Sequence, residues 1–277
     1  PELLPTYEKL VELAGGGDLA ARFLALYRPP PYIAGCSQAV WPDHYEPILV
    51  RNYDYSPNLC EGTLLMSQWN DKRVIAMGDC LWGVLDGIND SGLSVSLSFG
   101  GRRVVGDGFG VPLILRYVLE FCETADQAVE VLARIPTHMS YNVTVLDRSG
   151  RFQTVFMAPD KEPVIRQIPI ATNHQGRIEW HRHARATASL ERERFLADRL
   201  ADSVETEKGF IRSFLDSPLY SKKYQNGFGT VYTAVYRPLE GAMELRWPGM
   251  IWRHSFDNFQ QGRQTIRYLS KAPEYSK

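Results

Sequence analysis

Apolar residues near the start of the chain recur at the spacing of an α-helix, in two groups separated by Gly15-Gly16-Gly17. The first group comprises Leu3, Tyr7, Leu10, Val11 and Ala14, and the second Leu19, Phe23 and Tyr27. This pattern predicts two short helices between residues 3 and 27. Pro29-Pro30-Pro31 then ends any helix and forces an extended path, so the prolines mark a boundary.

The chain between residues 46 and 99 has the composition of β-strands. Branched and aromatic residues dominate four short runs bounded by turn formers: EPILVRNYDYS (46–56), GTLLMSQW (62–69), KRVIAMG (72–78) and WGVLDGINDSGLSVSLSF (82–99). Asn89-Asp90-Ser91-Gly92 divides the last run and indicates a hairpin, because Gly92 adopts positive φ without strain.

Helices and strands follow in blocks over the rest of the chain. Pro112 suits the first turn of a helix over 113–122, and Thr124 with Gln127 forms a capping box for a helix over 126–135. Further strands are predicted at 140–146, 151–158, 230–238 and 242–249, and further helices at 183–200 and 207–215. This order is not the strict βαβ alternation of a parallel sheet, and it favours an α+β fold of antiparallel sheets covered by helices.

Composition narrows the possible partners and locations. The 277 residues, 44% of them hydrophobic, can bury the core of one large domain. A net charge of -1 gives no general attraction to nucleic acid or anionic membranes. No apolar run approaches the roughly 20 residues of a membrane helix, and the first thirty-five residues lack the order of a signal peptide. We therefore expect a cytoplasmic protein.

The cysteines carry the first candidate chemistry. Cys36, Cys60, Cys80 and Cys122 are irregularly spaced and form no C-x-x-C pair, so we expect free thiols. Cys36 stands between the proline block and the first predicted strand, directly after a glycine. It could be a buried structural thiol, an ordinary nucleophile or a new chain terminus.

Three nearby histidines, His174, His181 and His183, could suggest a metal site. No carboxylate motif accompanies them as a further ligand, and we expect neither a metal nor a cofactor.

Two charged residues interrupt the apolar run ILVRNYDY. Arg51 and Asp54 fall where a strand is largely buried, so each must be paired or functional. Side chains three residues apart point to opposite faces of a regular strand. The two can therefore meet at one site only if the strand bulges or ends between them; the alternative is a mutual ion pair on an edge strand.

The ordered set of motifs resembles the N-terminal-nucleophile (Ntn) hydrolases. The set is Gly35-Cys36, Arg51-Asn52-Tyr53-Asp54, DGINDSGL, GVPLILRYVLEFCETADQAVEVLARIP, NVTVLDRSGRFQTV, Thr172-Asn173-His174 and Ser189 with Arg192. Among these enzymes it is most similar to the acyl-coenzyme A:6-aminopenicillanic acid acyltransferase family, with choloylglycine hydrolase and penicillin V acylase as more distant relatives. The resemblance implies a four-layer αββα sandwich of antiparallel sheets.

The resemblance also implies a mode of maturation. The precursor would cut itself between Gly35 and Cys36, which divides the chain into a helical pro-segment (1–35) and an Ntn-hydrolase domain (36–277). The liberated α-amine would then serve the Cys36 thiol as a base, since the ordinary pKa values of these groups, about 7.7 to 8 and about 8.5, lie close together. The substrate would be a small molecule with a non-peptide amide bond and an apolar acyl group, cleaved through a thioester; a homo-oligomer is compatible with this interpretation.

Roles transfer from the family residue by residue. Asp54 would hold the new α-amine, Arg51 would lower the thiol pKa, and Asn173 would donate to the oxyanion. Arg192 matches the family's late arginine, with Arg194 as the alternative, and a second oxyanion donor would lie around Ser98.

Two other functions stay open at this point. A papain-like thiol hydrolase would use His174 or His138 as its base and would create no new terminus. A non-catalytic binding protein would keep the fold with an inert thiol. Transfer of the acyl group to an amine or thiol, rather than to water, is a further variant of the Ntn reaction.

Overall fold

The computed structural model describes residues 1–43 and 46–268, which form two antiparallel sheets and their covering helices. The helices are α1 (Leu4–Leu13), α2 (Gly17–Ala25), α3 (Val111–Phe121), α4 (Ala125–Arg134), α5 (His181–Ala186), α6 (Ser189–Ala201) and α7 (Glu207–Ser213), with a 3-10 turn at Tyr224–Asn226. The strands are β1 (Gly35–Trp41), β2 (Ile48–Tyr55), β3 (Leu64–Ser67), β4 (Val74–Asp79), β5 (Gly83–Asn89), β6 (Ser94–Phe99), β7 (Tyr141–Leu146), β8 (Phe152–Ala158), β9 (Lys161–Arg166), β10 (Ile170–Ala171), β11 (Gly229–Arg237), β12 (Ala242–Trp247) and β13 (Met250–Ser255).

The strands divide into a six-stranded and a seven-stranded sheet. The first has the order β10-β1-β2-β11-β12-β13 and the second β3-β4-β5-β6-β7-β8-β9. Every pair of neighbours is antiparallel. The α+β class and the antiparallel sheets expected from the sequence are confirmed.

Two apolar cores hold four layers together. The larger core joins the inner faces of both sheets and extends to α3 and α4 behind the seven-stranded sheet. The smaller core packs α6 and α7 against the outer face of β1, β2 and β11. The layers are therefore helices, seven-stranded sheet, six-stranded sheet and helices, which is the αββα sandwich.

Local signals explain much of this arrangement. Thr124 Oγ1 accepts the backbone N–H of Gln127 at 3.3 Å and caps α4, as expected. The Gln127 side chain accepts the N–H of Glu123 at 2.7 Å rather than that of the capping residue. The predicted turn between β5 and β6 is also present, and Gly92 donates its N–H to Asn89 O at 2.9 Å.

The sequence prediction missed the strand that contains Cys36. Residues 35–41 form β1, which lies between β2 and β10 in the six-stranded sheet. The expected first strand, residues 46–56, is β2. The segment GCSQAVW has few branched residues, and pairing with two neighbours makes it a strand.

The sequence predicts one helix over residues 183–200, but this stretch belongs to two helices, α5 and α6. Ala188 has φ 50° and ψ 37°, which separates α5 from α6 and turns the chain between them. The sequence pattern also did not predict β9, which lies at one edge of the seven-stranded sheet, or β10 and β13, which lie at the two edges of the six-stranded sheet.

The two N-terminal helices pack against the domain that follows. Backbone hydrogen bonds join Arg28 N to Gly108 O at 2.9 Å and Gly110 N to Leu26 O at 2.6 Å. The Trp82 indole donates to Leu24 O at 2.9 Å. Within the described residues, no helix is both long and apolar enough to cross a membrane. Residues 269–277, at the end of the predicted domain, lie outside the described part.

The backbone at Ala188 gives a stability prediction. A left-handed conformation costs a non-glycine residue roughly 1–2 kcal/mol, so Ala188→Gly should raise the free energy of unfolding by about 0.5–1 kcal/mol after the entropy of the unfolded glycine is subtracted. Urea denaturation measures this difference. Ala197→Gly, at an exposed position inside α6, is the matched control and should lower stability by about 0.8–1 kcal/mol. Equal losses in both variants would contradict the strain at Ala188.

Candidate active site

Cys36 is the second residue of β1, at the end of the strand where pairing with β2 begins. Its Cα pairs with that of Tyr53, while Gly35 pairs with Asp54. The side chain is completely buried. The peptide bond between Gly35 and Cys36 is continuous within the strand, so the structure describes the uncleaved chain.

Strand alternation separates the neighbours of Cys36 into two groups. Directly paired residues share a face, so Cys36 and Arg51 point toward the other sheet, and Asp54 points toward the outer helices. Strand β2 neither bulges nor ends between Arg51 and Asp54, because β1 and β2 pair regularly through both positions, so the two side chains do not meet on one face. A register shift does lie beside Asp54, but on the neighbouring strand β11 between Thr230 and Tyr232.

Arg51 contacts the thiol on the inner face. Its Nη2 donates to Cys36 Sγ at 3.4 Å, and its Nε donates to Leu97 O at 3.0 Å. Nη1 donates to Asp86, with which it forms a fully buried ion pair, and to Tyr232 OH at 3.0 Å. The alternative of a mutual Arg51–Asp54 ion pair on an edge strand is therefore wrong, since β2 is an interior strand and each residue has another partner.

Burial sets the protonation of the thiol in this state. Removal from water raises the pKa of the Cys36 thiol above its ordinary value; Arg51 lowers it and Asp54 raises it further, and burial prevails. The thiol is therefore neutral near pH 7 in the uncleaved chain, and it needs a proton acceptor before it can act as a nucleophile.

The main chain of Cys36 is held by other residues. Its N–H donates to Asn173 Oδ1 at 3.0 Å. Arg192 Nη1 donates to Cys36 O at 2.6 Å and to Ser37 Oγ at 2.8 Å, and Arg192 Nη2 donates to Asn173 Oδ1 at 2.6 Å. Asn173 and Arg192 thus bind the backbone on both sides of the Cys36 Cα.

Asp54 completes the outer side of the site. Its Oδ1 accepts the hydroxyl hydrogen of Thr230 at 2.6 Å, and its Oδ2 lies 3.5 Å from Arg192 Nη1. Burial raises the pKa of the Asp54 carboxyl, while Arg192 and the Thr230 hydrogen bond lower it. The carboxylate lies opposite Gly35 and on the same face as Arg192, beside the peptide bond that precedes Cys36.

Helix α6 positions both Asn173 and Arg192. Ser189, at the start of the helix, accepts the backbone N–H of Asn173 through its Oγ at 2.9 Å. Arg192 lies three residues later on the same helix face and is buried. Arg194 is exposed, so the structure brings Arg192, and not Arg194, to the cysteine.

The side-chain amide of Asn173 has a second set of contacts. Its Nδ2 donates to Phe99 O at 3.1 Å and to Ala34 O at 3.4 Å, which belongs to the residue before Gly35. Ser98, expected near a second oxyanion donor, donates its hydroxyl hydrogen to Thr172 O at 2.7 Å. In the uncleaved chain, the Ser98 hydroxyl hydrogen therefore goes to this carbonyl and not to an oxyanion.

The histidines named for a papain-like reaction have other partners. His174 Nδ1 lies 2.8 Å from Ser189 Oγ and its Nε2 lies 3.3 Å from Glu193, while His138 Nδ1 faces Phe109 O at 3.2 Å. Across residues 1–43 and 46–268, the histidine contacts with hydrogen-bond geometry do not include the Cys36 sulfur. Neither His174 nor His138 therefore forms a cysteine–histidine pair with Cys36.

Sequence reasoning missed three residues of the site: Asp86, Thr230 and Tyr232. Asp86 could have been found, because it is a charged residue inside the apolar run WGVLDGIN, the same signal that selects Arg51 and Asp54. Thr230 and Tyr232 carry no such signal, since hydroxyl and aromatic residues are ordinary in a strand.

The structure brings the predicted site residues together around one residue, Cys36. Arg51 contacts the Cys36 thiol, whereas Asn173 and Arg192 contact its main chain. Asp54 joins this group through Arg192. All four cysteines are free, as expected from their spacing. Strands β1 and β2, helix α6 and the loop at Asn173 carry these residues.

A family model and several solved structures are similar to this chain. The family model described as "Acyl-coenzyme A:6-aminopenicillanic acid acyl-transferase" matches residues 41–252. The chain belongs to this family. No curated protein matches the chain at a significant level by sequence.

Three solved structures are similar to this family member, and the first of them shares its fold. Penicillin V acylase from Agrobacterium tumefaciens is 15% identical with a TM-score of 0.54, over 80% of this chain and 86% of that one. A mutant of conjugated bile acid hydrolase from Clostridium perfringens is 15% identical with a TM-score of 0.48, over 87% and 100% of the two chains. The Caenorhabditis elegans ortholog of N-acylethanolamine-hydrolyzing acid amidase is 16% identical with a TM-score of 0.48, over 74% and 93%. The family match and the likeness to penicillin V acylase identify the sandwich as the Ntn-hydrolase fold.

Gly101 gives a prediction about how Asn173 is held. A Cβ at Gly101 would overlap the carbonyl oxygen of Asn173, and φ is +71°. Gly101→Ala should lower the free energy of unfolding by roughly 2–4 kcal/mol through strain and overpacking. Gly176→Ala is the matched control, with φ +59° and open space around its Cβ, and should cost about 1 kcal/mol. Urea denaturation that gives equal losses for the two variants would contradict close packing against Asn173.

Proposed function

We propose that this protein is an Ntn cysteine amidohydrolase or acyltransferase, matured by cleavage of its own chain between Gly35 and Cys36. The mature enzyme would cleave a non-peptide C–N amide bond through a thioester on Cys36. The supporting observation is that separate groups hold the two functional atoms of one residue: Arg51 holds Sγ and Asn173 holds the backbone nitrogen.

Maturation would begin with attack of Cys36 Sγ on the Gly35 carbonyl carbon. The C–N bond breaks, the thiol proton passes to the departing nitrogen, and Gly35 becomes esterified to the sulfur. This shift frees the α-amine of Cys36, and water then hydrolyses the thioester, which releases Gly35 as a carboxylate and restores the thiol. Glycine at position 35 suits this step, because a Cβ there would come within about 3 Å of the Phe228 ring and Asp54, in a backbone that must deform.

Substrate turnover would use the new amine as the base. The amine accepts the thiol proton, the thiolate attacks the substrate carbonyl carbon, and the C–N bond breaks as the same proton leaves on the amine product. Water, whose proton the amine accepts, then attacks the thioester, and the acid product leaves as that proton returns to the sulfur. Arg51 and Arg192 place positive charge near this nitrogen, which favours the neutral, proton-accepting amine. Asn173 Oδ1 accepts a hydrogen from this nitrogen in the uncleaved chain, and so would orient it.

Asn173 would also contribute to the oxyanion site. Its Nδ2 donates to Ala34 O in the uncleaved chain, and departure of that segment frees the donor for a substrate oxygen. Such a donor typically contributes about 2.7–4 kcal/mol to the transition state. Asp54, fixed by Thr230, would hold the charged form of the amine between proton transfers.

Residues 1–35 would be the pro-segment and the domain would begin at Cys36. The acyl group of the substrate would be apolar, and water would be its usual acceptor. A cytoplasmic location and assembly with further copies of the chain stay predictions.

Cys36→Ala should abolish both cleavage and turnover. Intact mass should show two fragments for the wild-type protein, the longer beginning at Cys36, and a single uncut chain for the variant. Cys122→Ala removes another buried thiol and is the matched control, so it should cleave and turn over substrate. Turnover by wild-type protein that is uncut at Gly35–Cys36 would contradict the proposed function.

Chain length of the substrate tests the apolar acyl group. A series of N-acyl amino acids or acyl-ethanolamides, with penicillin V and bile-salt conjugates as further amides, should be hydrolysed by wild type and not by Cys36→Ala. Each added methylene that enters an apolar pocket contributes about 0.8 kcal/mol, so kcat/KM should rise about fourfold per methylene until the pocket is full. A kcat/KM that falls from acetyl onward would exclude an apolar acyl pocket.

A further inference from the structure

Arg51 reaches the thiol from a fully buried cluster that joins the two sheets. Arg51 lies on β2 of the six-stranded sheet, and its carboxylate partner Asp86 lies on β5 of the seven-stranded sheet. Neither side chain has any exposed surface. The ion pair therefore crosses the middle of the sandwich, next to the Cys36 sulfur.

Asp86 is itself held by two tyrosines on β11. Tyr232 donates its hydroxyl hydrogen to Asp86 Oδ2 at 2.6 Å, and Tyr236 donates to Asp86 Oδ1. Each carboxylate oxygen thus has a fixed donor from the sheet that also carries Arg51. A carboxylate fixed at both oxygens is a rigid acceptor for the guanidinium.

These contacts leave the guanidinium little freedom. Arg51 Nε is bound to Leu97 O on β6, and Nη1 is bound to Asp86 and Tyr232. The donor that remains on the side of the thiol is Nη2, which reaches Sγ at 3.4 Å. Because the fork is planar, fixing Nε and Nη1 also fixes the direction of Nη2.

We propose that Asp86, held by Tyr232 and Tyr236, is a positioning residue that aims Arg51 at the Cys36 thiol. It touches neither the thiol nor the peptide bond to be cleaved, and it would act through Arg51. The inference rests on the proposed function for its importance in catalysis, but the positioning itself concerns the thiol in either the cut or the uncut chain.

The direction in which Asp86→Asn changes the pKa of the Cys36 thiol distinguishes positioning of Arg51 from a direct effect of the Asp86 charge. Asp86→Asn removes a negative charge, and if Arg51 stayed in place the thiol pKa would fall. If Asp86 positions Arg51, the guanidinium loses its anchor and the thiol loses its cationic neighbour, so the thiol pKa rises. A nearby opposite charge shifts a pKa by about 1–3 units, so the rise should be about one unit or more.

The experiment is a pH titration of the Cys36 side-chain carbon by NMR in protein labelled with 13C at cysteine Cβ, with the signal assigned by Cys36→Ser. Wild type, Asp86→Asn and Asp90→Asn are compared. Asp90 lies in the same motif and pairs with Arg73 at 3.1 Å, so Asp90→Asn should leave the thiol pKa unchanged. A lower or unchanged thiol pKa in folded Asp86→Asn overturns the proposal.

Two further variants guard against misfolding and confirm the route through Arg51. Tyr236→Phe keeps the carboxylate but frees Oδ1, and should raise the thiol pKa by less; if Asp86→Asn does not fold, this variant decides the question in the same way. In an Arg51→Met background, Asp86→Asn should no longer raise the thiol pKa. A rise there would show that Asp86 acts by another route and would overturn the proposal.

The same proteins separate this inference from the proposed function. A raised thiol pKa in Asp86→Asn, with wild type that never cleaves at Gly35–Cys36, would sustain the positioning role and reject the proposed function. Cleavage and turnover in wild type, with an unchanged thiol pKa in Asp86→Asn, would support the proposed function and reject the positioning role of Asp86.

Discussion

The alternation of side chains along β1 and β2 is the constraint on which the site depends. A residue in a strand presents its side chain to one face and its main chain to the neighbouring strands, so partners on different sides can reach different atoms of it. Cys36 uses this property: Arg51 meets its sulfur between the sheets, while Arg192 and Asn173 meet its main chain from the side of α6. The proposed reaction needs this division, because the sulfur that would attack and the nitrogen that would accept its proton must both be held.

Charge balance adds a second constraint. Two buried arginines flank Cys36, and each has a carboxylate partner: Asp86 for Arg51 and Asp54 for Arg192. Removing one partner of a buried pair typically costs about 3–5 kcal/mol, because the other charge is left without compensation. The residues around the thiol are therefore energetically linked to both sheets and to α6. Because of this linkage, buried charges that are far apart in the sequence all need their partners in the same folded structure.

Sequence alone is sufficient for the elements with strong local signals and for the residues that violate burial rules. Arg51 and Asp54 stand out because charges are rare in an apolar run. The start of α4 is predicted by the capping residues Thr124 and Gln127. Sequence is insufficient where tertiary pairing decides the outcome. β1 depends on neighbours from residues 48–55 and 170–171, and no local feature indicates the left-handed turn at Ala188. The sequence also leaves open whether Arg51 and Asp54 meet on one face, and only the regular pairing of β1 with β2 decides that they lie on opposite faces of the strand.

The most direct measurement is a time course of maturation in which two concentrations are followed in the same samples. One is the concentration of chains that begin at Cys36, from N-terminal sequencing, and the other is the concentration of active sites, from burst titration with an amide that leaves a slowly hydrolysed thioester. If the α-amine of Cys36 is the base, the two concentrations are equal at every time. Active sites that match the total chain concentration while the Gly35–Cys36 bond is still intact would contradict a nucleophile that uses its own α-amine as base.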